Sequence, residues 1–253
     1  MHKIGIIFPV INKVELTTAA IHSVKSQWPL HVVLVDNGST DITLSWAKQG
    51  GANIIDEVIE NGSNKGLTIA WNQGVAAARA AKCDLVILAN NDILLHPKTI
   101  DNMVEELDKN PDWGMVTAVN DKGWCEANGG PTAIFTKQVD EPGSSSDHPD
   151  FSFFMVRMSA FDQLKAKEEP DGKEPNPGLF DEQFSHRGRA FFEDNDMHYR
   201  FHKAGIPAKC TTRAPYYHYA SQTASTAPSG LNFELNKQYF IEKHGMTPQQ
   251  TGL

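Results

Sequence analysis

The sequence has no run of the eighteen or so apolar residues that a membrane span requires, and no basic segment leading into an apolar one. A cytoplasmic protein without a transmembrane segment is therefore expected. Cysteine is scarce: Cys83, Cys125 and Cys210 are odd in number and widely separated, which excludes a paired metal or redox motif and leaves reduced packing residues. Positive charge is also short, since 23 Lys and Arg against 31 Asp and Glu give a formal net charge of -8. That balance argues against a broad cationic surface of the kind that nucleic-acid backbones need. It does not exclude a small phosphorylated ligand, which helix N-termini, backbone amides or a bound cation can hold. No glycine-rich turn follows the first apolar run, where Pro9-Val10-Ile11-Asn12 stands instead, and no Walker pattern occurs. Internal repeats and low-complexity tracts are absent as well.

What is present is ordinary globular material, 40% hydrophobic and 21% charged over 253 residues, enough for one large domain with a substantial core. The first hundred residues alternate short apolar runs with amphipathic segments, the pattern of an α/β fold with a mostly parallel central sheet and helices on both faces. Strands are expected at Ile4 to Val10, His31 to Val35, Ile54 to Ile59, Asp84 to Ala89 and Trp113 to Val119. Helical spacing follows the first of these, recurs from Leu67 to Ala78, and recurs again after Pro97 to about Leu107. Beyond Asn120 the rhythm loosens. Strands are expected at Phe151 to Val156 and Ala208 to Thr212, helices at Asp194 to Ala204 and Leu231 to His244. Between them, Gln138 to Pro149 and Lys165 to Pro177 are long for connections within a domain and are candidates for acceptor selection or a lid.

Polar residues cluster where open α/β sheets bind ligands, outside the C-terminal ends of strands. Asp36, the Asn61 to Gly66 loop and Asn90-Asn91-Asp92 all fall there. Each alone also suits a turn or helix cap; their convergence on one edge favours a ligand. Asp92 is suited to a divalent cation, because oxygen donors fit Mg²⁺ and Mn²⁺ and such a cation bridges a diphosphate. Glu193-Asp194-Asn195-Asp196 opens a helix after Phe191-Phe192, and three acids in four positions exceed what a cap requires. A carboxylate there serves as a general base toward a hydroxyl, which makes Asp194 and Glu193 the candidate catalytic residues. Of ten histidines, His218 stands apart, just past a strand in Pro215-Tyr216-Tyr217-His218-Tyr219, where an imidazole can complete a cation site begun by Asp92.

These segments resemble the inverting family-2 glycosyltransferases of the GT-A fold, in particular their rhamnosyltransferase-like and galactofuranosyltransferase-like branch. The resemblance rests on Val33 to Asp41, Glu60-Asn61 through Asn64-Lys65-Gly66 to Asn72-Gln73-Gly74, and Leu88 to Asp92, with Gly178 to Glu182 and Phe192 to Asp196 as the acceptor-side counterpart. It implies a single GT-A domain over 1-253, with a nucleotide-binding half at 1-119 and an acceptor-binding half at 120-253. It further implies that Pro9 and Asp36 line the nucleobase pocket and that Asn64, Lys65, Gly66 and Asn72 lie close to the nucleotide. Asn90 and Asn91 with Asp92 take the place of the family's D-x-D motif, Asn90 departing from its usual first Asp. Asp92 and His218 become ligands of Mn²⁺ or Mg²⁺, and Asp194 the base.

The activity so implied is transfer of a sugar from a nucleotide diphosphate, UDP- or dTDP-linked, to an acceptor hydroxyl with inversion. The acceptor expected is a glycan or glycoconjugate; a modified nucleic-acid base is the other class, for which Lys165, Lys167, Arg187 and Arg189 would have to form a basic strip. Trp124 is a candidate sugar-stacking residue or a loop anchor. Two rivals are a nucleotidyltransferase and a catalytically silent sugar-nucleotide-binding protein.

Overall fold

The first apolar run becomes strand β1 (Ile4–Val10), and alternation along it decides the layering. Ile4, Ile6, Phe8 and Val10 join the core on one face of the sheet and Ile7 the core on the other, so the strand is buried on both sides. The fold is that of a computed structural model which describes residues 1-139, 145-146, 150-168, 179-220 and 232-253. In chain order the strands that follow are β2 (Leu30–Asp36), β3 (Glu57–Glu60), β4 (Leu85–Ala89), β5 (Ile93–Leu95), β6 (Met115–Asn120), β7 (Ser145–Ser146), β8 (Phe153–Arg157) and β9 (Ala208–His218). Helices are α1 (Val14–Ser23), α2 (Thr43–Lys48), α3 (Leu67–Ala80), α4 (Thr99–Lys109), α5 (Lys122–Ala127), α6 (Met158–Glu168), α7 (Gln183–Arg187), α8 (Glu193–Lys203) and α9 (Phe233–His244).

All nine strands form one sheet, ordered β3-β2-β1-β4-β8-β6-β9-β5, with β7 also pairing with β9. β1, β2, β3, β4, β6 and β9 point one way, and β5, β7 and β8 the other. Residues of α1 and α4 pack on one face, those of α3, α6 and α8 on the other. The expected α/β architecture, mostly parallel with both faces covered, is what the chain adopts.

Two departures from the sequence reading bear on function. The strand expected to stop at Thr212 runs on to His218, because a register shift opposite Thr117 and Val119 lets it pass Pro215 and continue beside β6. The three-residue β5, hidden behind Asn90-Asn91-Asp92, pairs with the far end of that long strand. Of the two long connections, residues 165-168 finish α6 and residues 145-146 form β7; most of the proposed lid lies outside the described residues. Among the described residues no helix is long and apolar enough to cross a membrane.

The N-terminal edge is fastened by His2, whose ring nitrogens meet Asp84 and, at 2.9 Å, Asp108. Burial works against charging the imidazole, but hydrogen bonds to both carboxylates and their charges outweigh it, so its pKa is raised. A raised folded value stabilises fully below the unfolded value of about 6.5, and the contribution fades as pH climbs through the folded one. His2→Ala is expected to lower the melting temperature more at about pH 5.5 than at about pH 8.5. Equal losses at both would remove the ion-pair account.

Candidate active site

Strand ends β1 to β3 carry a shelf of amides rather than of charges. Pro9 sits near the end of β1, in register with Val35. Asp36 is buried, and its carboxylate accepts from the backbone amides of Gly38 and Ser39 at 3.1 Å each, folding the chain back over the strand. Asn37, not singled out from the sequence, organises the facing loop. Its Nδ2 donates to Gly66 O at 3.2 Å, and its Oδ1 accepts from Asn61 Nδ2 at 2.9 Å and from Lys65 N at 3.4 Å. Asn61 and Gln73 exchange two amide hydrogen bonds, and Asn64 Oδ1 accepts from Gly66 N. Gly66 has φ +96, and a Cβ there would stand 2.7 Å from Ser185 Cα, so only glycine lets this loop close on α7. The Lys65 side chain is exposed beside it. Asn72, on α3, reaches the segment that leads into α7: its Nδ2 donates to Phe180 O and Glu182 Oε1, and its Oδ1 accepts from Phe180 N.

The next strand end supplies the carboxylate and imidazole that the cation reading joins. Asn90 N donates to Ser152 O, while the Asn91 side chain turns away to Thr17 Oγ1 at 2.9 Å. Asp92, 4% exposed, then meets His218, 126 residues later, with Nε2 to Oδ1 at 3.0 Å. The meeting is a product of sheet pairing, because β5 and β9 run antiparallel with Ile93 opposite His218, and Tyr219 N closes on Asp92 O. The other ring nitrogen, Nδ1, lies 3.2 Å from Ser152 Oγ. The 3.0 Å contact is an ordinary hydrogen bond, and the two atoms that make it, a carboxylate oxygen and an imidazole nitrogen, are both types that ligate divalent cations such as Mg²⁺ or Mn²⁺. Among the described residues no group of three or more His, Cys, Asp or Glu side chains forms a cage. A two-donor site completed by substrate phosphates and water is the usual arrangement for such cations.

Asp194 opens onto a cleft of about 500 Å³. Asn90 and Ser152 form part of its wall, which links it to the Asp92–His218 pair, and Trp71 and Phe151 supply aromatic surface. Glu193 and Asp150 add two further carboxyls. Asp194 is only half-buried because the cleft is open, yet protein surrounds its carboxyl at longer range. That enclosure, with the charge of Asp150, raises its pKa against the opposing bond from Asn195 N at 2.7 Å. Glu193 is 5% exposed, its Oε2 is buried with no hydrogen-bond partner among the described residues, and burial together with the charges of Asp194 and Asp196 pushes it well up. Neighbouring carboxyls that are this enclosed resist ionising together.

Asp196 points elsewhere. Its carboxylate meets His244 and Lys243 at 2.7 Å and Arg200 at 3.2 Å, and Arg200 also binds Glu168. The third acid of the cluster is thus a structural anchor for α8. Trp124 packs with Cys125, Ile134 and Tyr217 beneath Lys137, 4.6 Å from its ring, in the loop-anchor role. Arg187 pairs with Glu242 at 3.0 Å and stacks on Tyr239. Ser152 and Asp150 escaped sequence reasoning: Ser152 lies in a run read only as a strand, and Asp150 just ahead of it.

Residues 5-165 match the sequence profile described as Glycosyl transferase family 2. The chain belongs to this family. The match ends before Asp194 and His218. Among curated relatives, the dodecaprenyl-phosphate galacturonate synthase of Rhizobium johnstonii is 32% identical over 116 residues, 42% of this chain and 33% of that protein. Two solved structures share the fold. One is a mannosyltransferase of Pyrobaculum calidifontis in complex with GDP-Man and Mn²⁺, with TM-score 0.53, 19% identity, 81% of this chain and 53% of that one. The other is residues 1-349 of S. aureus TarS in complex with UDP-GlcNAc, with TM-score 0.57, 18% identity, 89% of this chain and 61% of that one. This family-2 glycosyltransferase spans a third of the curated relative's length and little more than half of the solved chains.

Proposed function

We propose that the enzyme transfers a sugar from a nucleoside diphosphate, UDP- or dTDP-linked, to a hydroxyl of an uncharged glycan by one inverting displacement. The observation that carries the reading is the contact between Asp92 and His218, joined through Ser152 to a cleft that Asp194 lines. Asp92 and His218 would hold a divalent cation, which when bound neutralises charge building on the departing diphosphate. Ser152 keeps the imidazole oriented: with Nε2 turned to a cation, Nδ1–H donates to Ser152 Oγ. Asp194 accepts the acceptor's proton as its oxygen attacks the anomeric carbon, and the raised pKa brings this carboxylate's basicity closer to that task.

The lining also supports an uncharged acceptor. Asp150, Glu193 and Asp194 are concentrated in one cleft, and its described lining contains no Lys or Arg. Such a lining offers no cation to pair with an acceptor phosphate or carboxylate and suits neutral hydroxyls. Phe151, only partly buried, offers an apolar face for a sugar ring.

A thermal-shift screen of UDP, dTDP and GDP, with and without MnCl₂, tests the donor side, because a ligand of the folded state raises stability by mass action. Stabilisation by a pyrimidine nucleotide only when Mn²⁺ is present is expected; equal shifts with EDTA would sink the cation assignment. Ser152→Ala is expected to weaken apparent Mn²⁺ affinity about tenfold in the same assay. An unchanged Mn²⁺ titration would deny Ser152 its orienting role.

A further inference from the structure

The segment that delivers Asp194 to the cleft is an improbable piece of backbone. Arg189, Phe191 and Phe192 all have positive φ, at 66, 82 and 66, a conformation that side chains with a Cβ rarely adopt. Phe192 is the residue on which α8 begins, so its geometry sets the direction in which Glu193 and Asp194 leave the turn. Such a turn persists only where its surroundings over-determine it.

One side chain does much of that. Asn236, on α9 and 0% exposed, directs its Nδ2 at three carbonyls, those of Phe184 at 3.0 Å, Ala190 at 2.7 Å and Phe191 at 3.1 Å. Three converging acceptors fix which end of the amide is nitrogen. Its Oδ1 is buried with no hydrogen-bond partner among the described residues, so the side chain is oriented for donation at the expense of its own acceptor. Gly188 completes the fit, since a Cβ there would stand 2.6 Å from Asn236 Cγ. Phe184 O also receives the amides of Gly188 and Arg189, whereas the carbonyls of Ala190 and Phe191 depend on Asn236. Phe233 and Phe240 of the same helix pack on Phe192, with ring centroids at 4.7 and 6.4 Å.

We propose that Asn236 is a positioning residue for glycosyl transfer: its amide, reaching from α9, holds the left-handed turn that aims Asp194 into the cleft. This rests on Asp194 as the base. Misplacing a catalytic group by about 1 Å costs on the order of a hundredfold in rate, and Asn236 touches neither the donor loops nor the Asp92–His218 pair.

The test is acceptor-independent. Water replaces the acceptor in slow donor hydrolysis and uses the same base, so nucleoside diphosphate release is measured for wild type, Asn236→Asp, Asn236→Ser and, as a control, exposed Gln238→Ala. The donor is whichever of a panel of UDP-, dTDP- and GDP-sugars wild type hydrolyses fastest, and binding of the matching diphosphate with MnCl₂ is measured by calorimetry. Expected is a fall in kcat of at least about tenfold in both Asn236 variants, with donor KM and diphosphate Kd within about twofold. The acid limb of their pH–rate profiles should also move to lower pH, because a loosened turn lets water reach Asp194. A folded variant with wild-type kcat and an unmoved acid limb overturns the proposal. So does failure of both variants to fold, which would make Asn236 a determinant of global stability. Absence of release by wild type itself would instead strike the proposed chemistry, and this inference with it.

Discussion

Asp194→Asn is expected to cut turnover by about a thousandfold, within the range general bases contribute, while nucleotide binding stays within about twofold of wild type. The amide keeps the shape of the carboxylate and cannot accept the acceptor proton. Because burial and Asp150 raise the Asp194 pKa, wild-type activity should fall on acidification at a pH above the ordinary aspartate value of about 3.9. The same shift has a stability counterpart. A carboxyl whose folded pKa lies above its unfolded one favours folding most below the unfolded value, and that advantage is lost as pH rises through the folded value. Asp194→Asn should therefore melt higher than wild type near about pH 7.5, with the gain shrinking toward about pH 4. Relief of Glu193, whose own ionisation Asp194 opposes, adds in the same direction. Wild-type turnover in this variant would move the base elsewhere, and a lower melting temperature at neutral pH would contradict the enclosed-carboxyl description.

Asp196→Asn, two residues along the same helix, is expected to do the opposite, lowering stability by about 3–5 kcal/mol and the melting temperature by about 10 °C. Burial disfavours charging Asp196, but the hydrogen bond from His244 and the charges of Lys243 and Arg200 outweigh that and hold its pKa down. Its contribution is present above about 3.9 and disappears as pH falls through the lower folded value. The gap between wild type and variant should thus be constant across neutral pH and close only in strong acid. A loss under about 1 kcal/mol would reduce the network to surface-like ion pairs.

Opposite outcomes from adjacent acids show what the sequence could and could not say. Glu193, Asp194 and Asp196 read alike in the chain, as acids at a helix start; the helix itself separates them, turning Asp196 toward α9 and Asp194 toward the cleft. β1, β2 and β4 were legible because strands buried on both faces must be continuous apolar runs. β5 and α7 were not, being too short for periodicity to register. The candidate pairing of Asp92 with His218 rests on residue type and strand-end position as well as family likeness, and the extended β9 supplies its geometry. Ser152 and Asn236 were illegible for a different reason. Their importance lies in partners 66 and about fifty residues away, and neither composition nor spacing encodes which buried polar groups will face each other.

The pairing of β5 with β9 carries a temporal consequence. Asp92 is made early and His218 late, and nothing local draws them together; the two proposed cation donors exist as a unit only once β9, the last strand, has paired with the edge strand β5. Such distant closures are among the slower events of folding. Acquisition of manganese affinity during refolding should accordingly lag behind recovery of secondary structure, making the ion a reporter of a finished enzyme.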